Sequence, residues 1–240
     1  MKLNEVLSAL DSKYPQSLQE DWDCSGLLAK GNEIVNRVLV TLDITPEIAK
    51  YAIDHEFDLI ISHHPLIFGS YLETSYYLRS IYHMLNQNNI SLYSMHTNFD
   101  NSSVGMNYHY IKKLGYTPSS SEGMIQIFEN DGHFIDNLMK NVKNIRVYNI
   151  APKINRIAVL LGSGGSFIEE VKALDCDVFI SSEFKHHEIL YAKEHGIMLV
   201  DVTHQAEGVF ANVIAEFLSE YKDLEIGVYK DTYEVDILGR

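Results

Sequence analysis

The chain is short of cysteine, of positive charge and of long apolar runs, and each shortage argues against a class of protein. Its 240 residues include two cysteines, Cys24 and Cys176, neither in a CxxC pair, so we expect no disulfide framework. The 19 Lys and Arg are scattered among 33 Asp and Glu, and the formal net charge is −14. This charge would repel nucleic acid and anionic membrane surfaces. No apolar run approaches the roughly 20 residues that span a bilayer.

The opening segment has the pattern of an amphipathic helix. In MKLNEVLSALDSKY, the residues Leu3, Val6, Leu7 and Leu10 recur at helical spacing, and the segment contains two acids. It therefore lacks the apolar core of a signal peptide. A chain of this length, 46% hydrophobic, can bury the core of one large domain or of two lobes. We expect a cytoplasmic globular protein with neither a membrane nor a nucleic-acid partner.

Strand-like and helix-like segments alternate through the first half of the chain. RVLVTLD (37–43) is typical of a buried strand, and Thr45 followed by Pro46 predicts the start of a helix. The pattern then predicts a strand at 57–62, a helix around 77–85, a strand at 90–96 and a helix over 104–114. This alternation indicates a mainly parallel sheet covered by helices.

The second half repeats this order and part of the sequence. Strands are predicted at 156–162, 177–181 and 197–204, with helices between them. At an offset of 119 residues, six of 26 positions are identical: Arg37, Val40, Leu42, Asp58, Ile61 and Ser62 recur as Arg156, Val159, Leu161, Asp177, Ile180 and Ser181. We predict two related α/β lobes with mainly parallel sheets, residues 1–120 and 121–240. The boundary falls in TPSSSEG (117–123) or near 150, since 124–150 is ambiguous.

Polar side chains follow three of the predicted strands. They are His63 and His64, then His96 and Asp100, and finally His204 and Glu207. Ligands of parallel α/β proteins collect at the carboxyl ends of strands, and imidazole with carboxylate suits Zn²⁺, Fe²⁺ or Mn²⁺. The alternative is that each histidine is a surface or hydrogen-bonded core residue, which is the commoner role of an isolated histidine.

The adjacent histidines suggest more than one ion. Neighbouring side chains on an extended strand point to opposite faces, and Pro65 favours an extended His64. One ion would be awkward for both rings, so the doublet favours two ions clamped by carboxylates. Glu207 lies three residues after His204, would share its helical face and could bridge the ions.

Other residues near these strand ends leave several roles open. His96 could ligate a metal, donate a proton or orient Asp100, and Glu183 could approach the site from the loop after 177–181. The run Gly162 to Gly165 lacks the lysine of a phosphate-binding loop, so a tight strand-to-helix turn is favoured. The second doublet, His186 and His187, is predicted to be a surface or supporting feature.

Together these motifs resemble a known family. DWDCSGLL (21–28), RVLVTLDIT (37–45), DLIISHHPLIF (58–68), HTNFD (96–100), LLGSGG (160–165) and DVTHQAE (201–207) resemble, in order, motifs of the GTP cyclohydrolase 1 type 2 homologues, also called NIF-three-like proteins. The resemblance implies a two-lobed α/β fold, a dinuclear metal site between the lobes and a ring-shaped homohexamer. It also implies the metal ligands, which are His63, His64, Asp100, His204 and Glu207.

One spacing departs from the family pattern. Relatives usually place the glutamate four positions after the last histidine, whereas His204 and Glu207 are three apart. Both spacings keep a helical pair on one face, so we expect the site to survive with a local shift at Gly208.

The resemblance implies a metal-dependent hydrolase in which two divalent ions, Zn, Fe or Mn, activate a bridging water. The substrate would be nucleotide-like or another small molecule, with GTP as the named candidate, although the sequence contains no basic triphosphate clamp. The rival interpretation is a protein that stores or delivers metal, or a ring-shaped scaffold for partners.

Overall fold

The computed structural model describes residues 1–69 and 73–230, and the chain forms two compact units. The first unit comprises Met1–Asn98 and Phe210–Arg240, and the second comprises Phe99–Val209. This division differs from the predicted one at residue 120, because the chain returns to the first unit after Val209. The segment that was expected to end the second lobe contributes a strand to the first sheet.

The first unit is built on a five-stranded sheet. Its strands are β1 (Gly26–Ala29), β2 (Arg37–Thr41), β3 (Leu59–Ser62), β4 (Ser91–Ser94) and β11 (Glu225–Val228), in the spatial order β1-β4-β3-β2-β11. All pairings are parallel except that of β1 with β4. Every residue of β3 and β4 is buried, as expected of parallel strands covered on both faces.

The helices assigned to this unit are α1 (Leu3–Lys13), α2 (Pro46–Asp54) and α3 (Tyr76–Gln87). The predicted start of α2 is present, since Thr45 Oγ1 accepts a hydrogen bond from the Ile48 N–H at 3.2 Å and Pro46 is the first helical residue. Ile48, Ile60, Ile81 and Leu92 lie in one core cluster. A short helix, α4 (Thr97–Asp100), and the start of α9 (Val209–Leu218) fall at the boundaries of the two units.

The second unit contains a six-stranded mixed sheet. Its strands are β5 (Ser120–Glu122), β6 (Ile125–Glu129), β7 (Arg146–Tyr148), β8 (Arg156–Val159), β9 (Val178–Ser181) and β10 (Met198–Asp201), in the order β5-β6-β8-β9-β10-β7. Pairings β8-β9 and β9-β10 are parallel, and the outer pairings are antiparallel. The ambiguous segment 124–150 therefore supplies antiparallel strands that flank a parallel centre.

The helices of this unit are α5 (Met106–Lys113), α6 (Phe134–Asn141), α7 (Ile168–Ala173) and α8 (His186–Glu194), with a 3₁₀ helix at His204–Gly208. Ile127, Ala158, Val171, Phe179 and Leu199 share its core. The predicted α/β class with two sheets is thus confirmed. No helix in the described ranges has the length and apolarity needed to cross a membrane.

The repeated residues serve the same structural purpose in both units. Asp58 Oδ2 accepts hydrogen bonds from the Asn36 and Arg37 N–H groups at 2.8 and 3.0 Å. Asp177 Oδ2 does the same for Asn155 and Arg156, at 2.7 and 3.0 Å. Each arginine also donates to a carbonyl 18 residues further along the chain. The identities at an offset of 119 residues thus include contacts that tie the starts of neighbouring parallel strands together.

Candidate metal centre

The histidine doublet lies just past the end of β3, in a turn of the backbone. The N–H groups of His63 and His64 both donate to the Leu42 carbonyl, at 3.1 and 3.0 Å. Ser62 Oγ donates to the His64 carbonyl at 2.9 Å, so in its 2.8 Å contact with Ser94 Oγ it accepts. The doublet is therefore anchored to the ends of β2 and β4, the two neighbours of β3.

Three histidine rings at this edge of the first sheet have their Nδ1 atoms held by oxygen acceptors. The pairs are His63 with the Met95 carbonyl at 2.8 Å, His64 with Asp43 Oδ1 at 2.7 Å, and His96 with Asp23 Oδ1 at 2.9 Å. Carbonyls and ionised carboxylates only accept hydrogen bonds, so Nδ1 carries the proton in each neutral ring. Nε2 is then the nitrogen with a lone pair, as in many metal-binding histidines.

The three rings converge on one place. Potential ligand atoms of His63, His64 and His96 all lie within 4.8 Å of one another. Two nitrogens bound to one Zn²⁺ ion are at most about 4.2 Å apart, because each Zn–N bond is about 2.1 Å long. The ligand atoms of the trio, all within 4.8 Å of one another, are therefore close to the separation that one ion needs. These side chains could hold a metal ion, and their tautomers suit that role.

The sequence predicts that the two rings of the doublet point to opposite faces of the strand. In the structure, the two rings lie on the same side. That prediction assumed an extended chain through His64, but β3 ends at Ser62 and the backbone then turns toward Leu42. The ring centroids of His63 and His64 are 4.9 Å apart, and both rings approach His96. The doublet alone therefore does not argue for two ions, and the dinuclear centre rests on the family resemblance.

Asp23 is fully buried and accepts five hydrogen bonds. Burial alone would raise the pKa of the Asp23 carboxyl. Hydrogen bonds from His96, Ser25 and Thr97, together with the charge that His96 can carry, instead lower this pKa well below its ordinary range. The Asp23 side chain is therefore a carboxylate at neutral pH.

Two exposed aromatic side chains stand beside His96. The ring centroids of Trp22 and Phe68 lie 5.8 and 5.7 Å from the imidazole, both edge to face. Trp22 is 61% exposed and Phe68 53% exposed, whereas the His96 side chain is 15% exposed. These two rings cover part of the imidazole and give its surroundings an apolar surface.

In the second unit, His204 and Glu207 form a close pair on the 3₁₀ helix. Side chains three residues apart eclipse one another in a 3₁₀ helix, and His204 Nε2 lies 3.0 Å from Glu207 Oε2. The three-residue spacing of His204 and Glu207 therefore fits a 3₁₀ helix, which has three residues per turn. The change to α-helix comes at Val209, directly after Gly208, the position where the sequence predicts a local shift.

Ser182 connects this pair to the glycine turn after β8. Its hydroxyl accepts a hydrogen bond from the Gly162 N–H at 2.9 Å, so in its 3.2 Å contact with Glu207 Oε1 it donates. The Gly164 N–H donates to Ser181 Oγ at 3.0 Å, and a Cβ on Gly164 would lie 2.5 Å from that oxygen. The glycine run is therefore a tight turn packed on serines, as the sequence favours, with these two N–H groups already engaged.

The other predicted site residues take different positions. Asp100 ends α4 and is half-buried, Glu183 is exposed in the loop after β9, and His186 and His187 are exposed at the start of α8. Among the described residues, none of these four belongs to a group of three closely spaced metal-ligating side chains. The ligand role of Asp100 stays a prediction, and so does proton transfer by His96 or Glu183.

Three residues that hold candidate ligands were missed by sequence reasoning: Asp23 and Asp43 in the first unit, and Ser182 in the second. Asp43 closes the RVLVTLD segment, so the rule of carboxyl strand ends could have found it. Ser182 follows Ser181 at the end of β9 in the same way. Asp23 gave no such signal, because it precedes β1, a strand that the pattern does not predict.

The fold and the site define a class: a two-unit α/β protein with a histidine-rich candidate metal centre at the carboxyl edge of its first sheet. The chain belongs to the Duf34/NIF3 (NGG1p interacting factor 3) family, whose model matches residues 1–234. The family predicted from the motifs is thereby confirmed.

Relatives and a solved structure agree with this assignment. A GTP cyclohydrolase 1 type 2 homolog of Campylobacter jejuni is 38% identical over 228 residues, covering 91% of this chain and 92% of that protein. A GTP cyclohydrolase 1 type 2 of Helicobacter pylori strain J99 is 35% identical, with 92% and 93% covered. The crystal structure of a Staphylococcus aureus hypothetical protein aligns with a TM-score of 0.85 at 26% identity, over 98% of this chain and 99% of that one.

Proposed function

We propose that this protein is a metal-dependent hydrolase that acts on a nucleotide-like or other small substrate. The observation that supports the proposal is the trio His63, His64 and His96, whose ring Nδ1 atoms are all held by acceptors. Such contacts fix the orientation and tautomer of metal ligands before an ion arrives. A protein with only surface or core histidines would have no need of three converging rings in one tautomer.

The proposed ligands of two divalent ions are the residues that the family motifs indicate: His63, His64, Asp100, His204 and Glu207. Their donors are nitrogen and oxygen, which suits Zn²⁺, Fe²⁺ or Mn²⁺. His63 and Glu207 are 2% and 3% exposed, so both side chains are held in place by their surroundings, as metal ligands usually are.

When bound, such ions lower the pKa of a coordinated water and polarise the bond to be cut. The chain's own contribution is orientation: the Met95 carbonyl, Asp43 and Asp23 hold the three imidazoles, and Ser182 holds Glu207. His96 and Glu183 are the proposed groups for proton transfer.

GTP is the first substrate to test, because relatives that are 35 to 38% identical have names that refer to GTP cyclohydrolase 1 type 2. The formal net charge of −14 disfavours a triphosphate unless bound cations offset it. We therefore include nucleosides, nucleotides and phosphoesters in the same screen. We also propose the ring-shaped homohexamer, which light scattering coupled to size-exclusion chromatography would measure directly.

The test begins with metal analysis of the purified protein, followed by turnover assays with Zn²⁺, Fe²⁺ or Mn²⁺. We expect bound metal in the wild type and a large loss in His63→Ala and His64→Ala. The matched control is His55→Ala, since His55 Nδ1 also contacts a backbone carbonyl, that of Tyr51 at 2.9 Å, on the exposed end of α2.

Each outcome has a distinct meaning. Metal-free wild type from a metal-replete preparation would refute the metal centre. Bound metal without turnover on any substrate of the screen would refute the hydrolase and favour storage or delivery of metal. Equal metal loss in His55→Ala and His63→Ala would show that the effect is unspecific.

A further inference from the structure

Asp23 joins two segments that are distant in sequence but adjacent in the first unit. Its Oδ1 lies 2.7 Å from the Cys24 nitrogen and 2.9 Å from His96 Nδ1. Its Oδ2 accepts from Ser25 Oγ at 2.7 Å, from the Thr97 N–H at 3.0 Å and from Thr97 Oγ1 at 2.6 Å. The carboxylate therefore fastens the chain before β1 to the chain after β4.

The direction of each of these hydrogen bonds follows from the neighbouring contacts. Ser25 Oγ accepts the His96 N–H at 3.0 Å, and Thr97 Oγ1 accepts the Glu20 N–H at 2.9 Å. Each hydroxyl is thus supplied with a donor and directs its own proton to Asp23. Both carboxylate oxygens also face a backbone N–H, which can only donate. The surroundings of Asp23 consist of donors, and His96 Nδ1 completes the set as an N–H.

We propose that Asp23 is a positioning residue that holds His96 in the Nδ1–H tautomer, with Nε2 directed toward His63 and His64. This inference deepens the proposed function. The predicted effect of Asp23 on metal affinity rests on the proposed metal centre. A half-turn of the ring about its Cβ–Cγ bond would put a carbon against Asp23 and turn Nε2 away from the cluster. The buried Asp23 carboxylate would then lose the hydrogen bond from His96, and this loss makes the rotated ring less stable.

The His64–Asp43 pair provides a contrast within the same centre. The Asp43 side chain is 41% exposed, so water can replace its contact with His64, whereas the Asp23 side chain is 0% exposed. A water molecule donates or accepts as needed, but a buried carboxylate can only accept. His96 is consequently the ring whose tautomer is set by a buried carboxylate.

Asparagine at position 23 tests this idea sharply, because it keeps the shape and replaces one acceptor by a donor. If the amide nitrogen took the place of Oδ2, it would face the Thr97 N–H. If it took the place of Oδ1, it would face the Cys24 N–H and would favour an unprotonated His96 Nδ1. The control is Asp58→Asn, in which the carboxylate also accepts two backbone N–H groups in the first unit, those of Asn36 and Arg37.

The first measurement is the tautomer of His96 in metal-free protein, from long-range ¹H–¹⁵N correlation spectra at neutral pH. We expect Nδ1–H in the wild type and in Asp58→Asn, and a shift to Nε2–H or to a mixture in Asp23→Asn. Because the new amide can also keep its oxygen toward His96, we add Asp23→Leu, which has no acceptor in either orientation. An unchanged tautomer in both folded variants would overturn the proposal. So would Nε2–H in the wild type, which decides the matter even if the variant does not fold.

The second measurement is the affinity for Co²⁺, followed through its visible absorption. Besides its proposed role in proton transfer, His96 offers the Co²⁺ probe a further nitrogen beside those of His63 and His64. We therefore expect Asp23→Asn to weaken binding by about 10- to 100-fold, as loss of a hydrogen-bond partner of a metal-binding histidine does. In a His96→Ala background, the same substitution should have no further effect on affinity. An equal loss in both backgrounds would mean that Asp23 does not act through His96. A wild type that binds no metal refutes the proposed function, while the tautomer measurement still judges Asp23 separately.

Discussion

Replacement of Ser182 by alanine should destabilise the second unit and loosen Glu207. Ser182 is 1% exposed, and its hydroxyl links the Gly162 N–H to Glu207 Oε1. Without it, the half-buried Gly162 N–H loses its acceptor, at a cost of about 1.5 kcal/mol, and a carboxylate loses one donor, worth about 1.5 kcal/mol. Glu207 retains His204 at 3.0 Å, so we expect a total loss of about 3 kcal/mol.

Urea unfolding followed by circular dichroism would measure this loss. With a slope of about 1 to 3 kcal/mol per molar urea, the midpoint should fall by about 1 to 3 M. If Glu207 is a metal ligand, affinity for Zn²⁺ should fall about tenfold as well. The control is Ser119→Ala, which removes an exposed hydroxyl that donates to the Ile127 carbonyl and should cost less than about 0.5 kcal/mol. Equal midpoints for the two variants would refute the role of Ser182.

Two further predictions concern packing and pH. Gly105→Ala should lower the free energy of unfolding in urea by about 3 kcal/mol, because the new Cβ would lie 1.7 Å from the Phe99 carbonyl oxygen. The control is Gly208→Ala, whose Cβ would meet no neighbouring atom within 4 Å and which should be neutral or stabilising. Similar losses of stability in the two variants would contradict the steric argument. Burial raises the pKa of the Cys176 thiol to about 11 in the folded protein, from about 9 in the unfolded chain. Between these two pH values the unfolded chain loses the thiol proton while the folded protein keeps it, so the free energy of unfolding should fall as pH rises from about 9 to 11. Cys176→Ser should lack this part of the decline in pH-dependent unfolding, and identical profiles would contradict the prediction.

Much of the local structure follows from sequence patterns. The predicted strands at 37–43, 57–62, 90–96, 156–162, 177–181 and 197–204 all contain strands of the two sheets. They are predictable because parallel strands are buried on both faces and appear as short apolar runs. The antiparallel strands β1, β5 and β7 were missed, since short or partly exposed strands lack such a run. The longer and mostly buried β6 was missed as well, because it lies in the ambiguous segment 124–150.

The candidate centre was predictable in part for the same reason. His63 and His64 follow β3 and His96 follows β4, and neighbouring parallel strands place their carboxyl ends at one edge. The expected direction of the doublet was wrong, because the turn after Ser62 depends on the Leu42 carbonyl, which belongs to another strand end.

The sequence by itself determined the α/β class, the family and the grouping of histidines at a strand edge, because these depend on residue type and local spacing. Only the tertiary structure decided which tautomer each ring adopts and that β11 completes the first sheet. The acceptor for His96 comes from Asp23, 73 residues away, and that for His64 from Asp43, 21 residues away. Local periodicity carries no information about such pairs, since they meet only when the strands that carry them are assembled into a sheet.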